Sequence, residues 1–166
     1  MENLDFNWIL LGVTATLTLF IAYVRVSEYR KHNMALAEFK ENEKNIEVIY
    51  ESKKNIVLYL WMAALIFVVS FFAGNSLLEK IAMAIMFTIL ILTELLNAIM
   101  MSKLYASSRA FLYGVDSHRF RSIRKVEEKG KKDMKLLMIN KEECVLPKAY
   151  ASALQEHMKT IKAAKK

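Results

Sequence analysis

The run from Ile81 to Met101 constrains this chain more than any other stretch, because it is apolar throughout except for one ionisable residue, Glu94. A helix crossing a hydrocarbon layer about 30 Å thick needs about 20 such residues at about 1.5 Å each. A second run, Phe6 to Val24, has 19 residues without a charge, and a third, Ile56 to Ala73, has 18. Three segments of that length predict a membrane α-helical protein with spans at about 6–24, 56–73 and 81–101. Trp8 and Tyr23 sit at the ends of the first run, and Tyr59 and Trp61 near the start of the second, as interfacial anchors would. A secretory signal begins with basic residues, whereas here Arg25, Arg30 and Lys31 follow the apolar run, so the first segment reads as a retained span.

Between the first two spans, residues 25–54 are densely charged and lack Gly and Pro. Tyr29, Leu36, Phe39, Ile46 and Tyr50 recur at sevens and threes, as on one side of a helix. Two readings stand: a helical loop that turns around Lys40 to Asn45 and returns as a second short helix, or a solvated amphipathic linker. Gly74, Asn75 and Ser76 form a tight turn that makes the last two spans an antiparallel hairpin.

Charge sets the orientation. Residues 102–166 carry 16 Lys and Arg against 7 Asp and Glu, and residues 25–54 carry 7 against 6. The N-terminus carries none and the 74–80 turn only Lys80. Basic residues gather on the cytosolic side, so the expectation is a multi-pass cell-membrane protein with its N-terminus outside and both the 25–54 loop and the C-terminal tail in the cytosol.

The chain therefore divides into a three-span domain over 1–101 and a basic tail over 102–166. Ser102 to Arg109 is compatible with an extension of the third helix. Beyond it, AFLYGV (110–115), Arg121 to Lys129, MKLLMIN (134–140) and Cys144 to Leu146 look like short strands separated by turns. After Pro147, which suits a first helical turn, Tyr150, Ala153, Leu154, His157, Met158 and Ile161 form one apolar stripe. A small α+β tail follows: a β-meander closed by a C-terminal helix, with a frayed basic end at Lys162 to Lys166. About 60 residues make a marginal core, which calls for support from the membrane, the loop or a second copy.

Glu94 is the one charge inside a predicted span, and a central charge costs about 2.5–3.5 kcal/mol on insertion scales. Thr93 is beside it and Asn97 lies three positions on, on the same helical face. This intramembrane polar site (Glu94, Asn97, Thr93) has two readings. One is a proton- or ion-sensitive site or a contact for a partner helix. The other is a carboxyl bonded to Asn97, Thr14 or Thr18.

No catalytic set emerges. His32, His118 and His157 are far apart in sequence and form no metal-ligand pair, and four glycines leave nothing for a phosphate loop. Cys144, the single cysteine, excludes an intrachain disulfide and reads as a small buried hydrophobe. No enzyme activity, metal or cofactor is expected.

The strongest surface signal is basic: Arg119, Arg121, Arg124, Lys125, Lys129, Lys131 and Lys132. Beside a bilayer such residues meet anionic lipid at about 1 kcal/mol each, or an acidic protein partner, more readily than nucleic acid. A solvated hairpin face whose charge fixes topology explains the same run equally well.

The tail segments AFLYGV (110–115), RSIRKV (121–126), MKLLMIN (134–140) and VLPKAYASAL (145–154) resemble the YobD-like bacterial inner-membrane proteins and the ends of PH-like membrane domains. The resemblance implies three spans and a strand-and-helix cytosolic tail, and brings no catalytic residues. The layout also resembles membrane insertases of the Oxa1 type, whose cytosolic hairpin would correspond to Arg25 to Lys54. Two functions follow. The first is a non-enzymatic scaffold, regulator or immunity-type factor acting through its basic tail on anionic lipid, a protein partner or a second copy. The second is an insertase or small transporter component using a polar site around Glu94.

Overall fold

The computed structural model describes residues 2–72 and 76–163. In chain order these form α1 (Glu2–Asn42), β1 (Glu47–Glu51), α2 (Lys54–Phe72), α3 (Leu77–Met100), β2 (Lys103–Ala106), β3 (Ala110–Tyr113), β4 (Asp116–Arg119), a single 3-10 turn, β5 (Ile123–Lys129), β6 (Asp133–Met138), β7 (Glu143–Pro147) and α4 (Lys148–Ala163). The described residues thus build four α-helices and two antiparallel sheets, ordered β1-β2-β3-β4 and β5-β6-β7. They fall into two compact units, Met1–Lys31 with Lys53–Ser102 and His32–Ser52 with Lys103–Lys166.

The first unit is helical. Ser76 begins α3 with a capping box: its hydroxyl accepts from the Glu79 N–H at 3.2 Å, and its own N–H donates to the Glu79 carboxylate at 3.3 Å. α2 and α3 pack along one another. Thr16, Thr18 and Thr88 donate to carbonyls one turn back at 2.7–2.8 Å, so these hydroxyls need no water. Large apolar side chains face outward on all three helices, among them Phe20 at 64%, Leu65 at 66% and Leu77 at 76% exposure, as a surface meant for lipid would have them.

Among the described residues two helices, Leu11–Asn42 and Leu77–Met100, are long and apolar enough to cross a membrane. The segment expected as the middle span is helical over Lys54–Phe72 and apolar over Lys54–Ile66, with the side chain of residue 67 outside the described residues. Residue 73, Gly74 and Asn75 of the expected span and turn, the Trp8 side chain and the basic end beyond Ala163 lie outside the described residues.

The second unit is a two-sheet core closed by α4. Leu104, Ala106, Phe111, Leu136, Met138, Leu146, Ala151 and Leu154 meet in one buried cluster drawn from both sheets and α4. The other face of the four-stranded sheet presents Ala110 and Leu112 to Phe39, Ala35 and Leu36 from the last turns of α1. Successive strand residues point to opposite faces, so Phe111 and its neighbours Ala110 and Leu112 serve different clusters. Tyr150 of α4 packs against Tyr50 in a tilted contact, ring centroids 4.5 Å apart, and meets Tyr113 edge-on at 5.3 Å. The expected stripe on α4 is the buried one, with Ala151 added to it.

Three features depart from the sequence reading. The segment after α1 does not return as a helix: α1 ends at Asn42, Asn45 takes a left-handed φ of 57°, and Glu47–Glu51 forms β1 against β2. Ile46 and Tyr50, four residues apart as on a helix, also bound a β-branched, aromatic run (IEVIY) that suits an edge strand better than a helix. Second, Ser102 to Arg109 does not extend α3, because Leu104 and Ala106, both fully buried, alternate with half-exposed neighbours in β2. Third, the tail is two sheets rather than one meander. Asp116–Arg119, polar throughout, becomes β4 through pairing with β3 across a two-residue turn, with Gly114 at φ 62°.

Cys144 reports on this core. Burial pushes its thiol up to about 11, with the Asp116 carboxylate adding to the effect. The folded state thus favours the neutral thiol, so this contribution to stability is complete below the unfolded-state pKa of about 8.5 and is lost as pH rises toward about 11. Phe111→Ala empties the centre of the cluster and is expected to cost about 3–5 kcal/mol. Pulsed iodoacetamide labelling through a denaturant series should show Cys144 protected in the wild type at neutral pH and labelled at lower denaturant in the variant; equal midpoints would place Phe111 outside the core.

Candidate functional site

Two polar arrangements carry the chemistry available to this chain, one in each unit. In the helical unit, Glu94 on α3 is met by Arg25 on α1. The guanidinium Nη2 and Nε donate to the same carboxylate oxygen at 3.2 and 3.3 Å, while Nη1 reaches Glu28 at 2.9 Å. Asn97 Nδ2 lies 3.5 Å from the other Glu94 oxygen. Sequence reasoning found Asn97 but not Arg25, which it read only as a topology signal. The available clue was that Arg25 is the first charge after the run 6–24.

Thr93 is buried and donates to the Leu90 carbonyl at 2.7 Å rather than to Glu94. Thr14 and Thr18 donate to backbone carbonyls of α1. The polar site is therefore a four-residue cluster of Arg25, Glu28, Glu94 and Asn97, with the Arg25 and Glu94 side chains each 31% exposed.

In the second unit the basic residues separate into two groups. Arg124, Lys125, Lys129, Lys131 and Lys132 belong to β5 and the β5–β6 turn, where Gly130 takes a φ of 73°. Lys125 is paired with Glu127 at 2.8 Å, which raises the lysine and lowers the carboxylate. These groups are fully exposed, so the pair leaves the surface charge there partly neutralised without a large stabilising effect.

Arg119 and Arg121 lie instead at the end of β4, beside Arg109, whose carbonyl accepts the Phe120 N–H at 2.9 Å. With Lys162 of α4 they line an open groove of about 1290 Å³. The last turns of α1 supply Glu38 and Phe39 to the same groove, and Glu43, just after the helix, also lines it and accepts from the buried Ser107 hydroxyl at 2.7 Å. Among the described residues none of Arg109, Arg119, Arg121, Arg124, Lys131 or Lys132 forms an ion pair. Neither Arg109 nor Lys162 stood out in the sequence; their addition to the site follows from the β3–β4 pairing and from the end of α4.

The histidines serve the fold. His32, buried on α1, donates through Nδ1 to the Gly114 carbonyl; His157 Nε2 lies 3.1 Å from the Ser107 carbonyl, and the His118 ring packs on Phe111 at 5.5 Å. Among the described residues no three His, Cys, Asp or Glu side chains come together as metal ligands.

The Arg25–Glu94 contact should be measurable as a coupling. In a double-mutant cycle of Arg25→Gln and Glu94→Gln, unfolding of the full chain in bicelles is expected to give about 0.6–1.7 kcal/mol between the two side chains. Additive losses would show that the pair contributes no interaction energy.

No known protein family, curated protein or solved structure matches this chain.

Proposed function

We propose that this protein is a non-enzymatic, membrane-anchored binding protein that presents a positively charged unit to an acidic partner at the cytosolic face. The observation that carries this reading is the set of exposed basic residues on the second unit, Arg109, Arg119, Arg121, Arg124, Lys131 and Lys132, that form no ion pair among the described residues. Long cationic side chains without counter-ions attract anionic partners and raise encounter rates. The anchor rests on the apolar, outward-facing helices of the first unit, in whose Leu77–Met100 window only 17% is buried, unlike the core helix of a soluble protein. In this reading the three apolar runs are three spans, and the distribution of Lys and Arg puts the N-terminus outside. Glu94, held by Arg25, then acts as an interhelical polar contact, which favours this reading over an insertase or transport path built on a free intramembrane carboxylate.

The test compares the wild type with a variant carrying Arg121→Gln, Arg124→Gln, Lys131→Gln and Lys132→Gln, both purified from native membranes after crosslinking and analysed by quantitative mass spectrometry. The variant is expected to insert equally well and to lose at least one acidic protein recovered reproducibly with the wild type. An unchanged set of co-purifying proteins would overturn the reading.

A further inference from the structure

The groove at the end of β4 has a specific shape. The four-stranded sheet ends in β4, whose outer side pairs with no strand among the described residues. The residues Ser117 through Arg121 line the groove consecutively. Side chains on a strand alternate between faces, so an unbroken run of lining residues means that the groove follows the edge of the strand rather than one of its faces.

The register identifies the free groups. Phe120 donates to Arg109, and Phe111 stands opposite His118, so these residues turn their polar groups toward β3. Ser117, one position out of phase, directs its N–H and C=O away from the sheet into the groove, and Arg119 does so with its N–H, while the Arg119 C=O accepts from the Ser122 hydroxyl at 2.6 Å. The last turns of α1 flank this edge on one side and Met158, Ile161 and Lys162 of α4 flank it on the other.

The lining is also sided. Arg119 is opposite Ala110, whose side chain joins the cluster under α1, whereas His118 is opposite Phe111, which packs in the α4 cluster. A strand laid along β4 would place alternate side chains toward Arg119 and toward the apolar Phe120, Met158 and Ile161. Four cations line the groove, Arg109, Arg119, Arg121 and Lys162, against two carboxylates, and one of those, Glu43, is turned to Ser107. Guanidinium groups are suited to bidentate recognition of carboxylates.

We infer that this groove binds an extended acidic segment of a partner protein by adding it as a fifth strand to the edge of β4, with acidic and apolar residues alternating along it. Main-chain hydrogen bonds to the Ser117 N–H and C=O and to the Arg119 N–H supply the affinity, and the two sides of the slot supply the selectivity. Charged side chains on a short edge strand also serve as guards against indiscriminate pairing; here they guard against basic and neutral strands while admitting an acidic one. This inference rests on the acidic-partner reading above and adds the site and the mode of binding.

The experiment uses the full chain in phosphatidylcholine nanodiscs and fluorescence anisotropy with three labelled peptides: (Glu-Val)5, the same peptide N-methylated at every residue, and (Lys-Val)5. The first is expected to bind, the second at least tenfold more weakly, and the third not at all. Ser117→Pro removes one outward N–H without breaking the β3–β4 ladder, which edge strands tolerate, and should weaken (Glu-Val)5 at least tenfold with Cys144 labelling unchanged. The pair Arg109→Gln and Arg119→Gln should do the same.

Equal binding of the methylated peptide would overturn strand addition while leaving the acidic-partner reading standing. Failure of (Glu-Val)5 to bind would overturn the inference even where a co-purifying acidic protein is found. Peptide-free self-association abolished by Ser117→Pro would assign the edge to a second copy and likewise overturn it.

Discussion

The second unit depends on one interaction: the burial of a sheet face by the last turns of α1. A sheet of four short strands has two faces, and one is filled by the second sheet and α4. The other would expose Leu112 and Ala110 without Phe39, Ala35 and Leu36. A tail of some sixty residues makes only a marginal core, and the 32–52 segment adds to it a covering helix, an extra strand and the buried hydrogen bond from His32 to the β3–β4 turn. Sequence positions separated by the whole of α2 and α3 therefore form one cooperative body.

That arrangement also sets the chemistry available at the surface. Once α1 covers one face and α4 the other, the β4 edge beside Arg119 stays open among the described residues, and the two helices become the walls of a slot. Arg109, Arg119 and Arg121 are brought together by the antiparallel pairing of β3 and β4, not by their spacing in the chain. The second basic group, Arg124 to Lys132, stays on β5 and its turn, where Lys125 is already satisfied by Glu127. A run that looks continuous in the sequence is thus two surfaces with different surroundings.

In the helical unit the same principle works at smaller scale. A carboxylate in apolar company requires a counter-charge or a hydrogen-bonding partner. Glu94 obtains both, from Arg25 across the helices and from Asn97 on its own. The hydroxyls of Thr14, Thr18 and Thr93 each donate to a carbonyl of their own helix about one turn back.

What the sequence alone determined was what depends on local pattern. The long apolar helices, the strands at AFLYGV and MKLLMIN and the amphipathic α4 are written in periodicities that a few neighbouring residues carry. The tertiary structure decided what depends on partners distant in the chain. IEVIY became β1 because β2 was there to pair with it, KLYA became β2 because Leu104 and Ala106 could be buried on one face, and the polar DSHR became β4 only through hydrogen bonds to β3. Arg25 as the partner of Glu94, and Arg109 and Lys162 as members of the basic groove, were likewise invisible in one dimension, because an ion pair or a groove is a property of distances between elements and not of any residue's own neighbours.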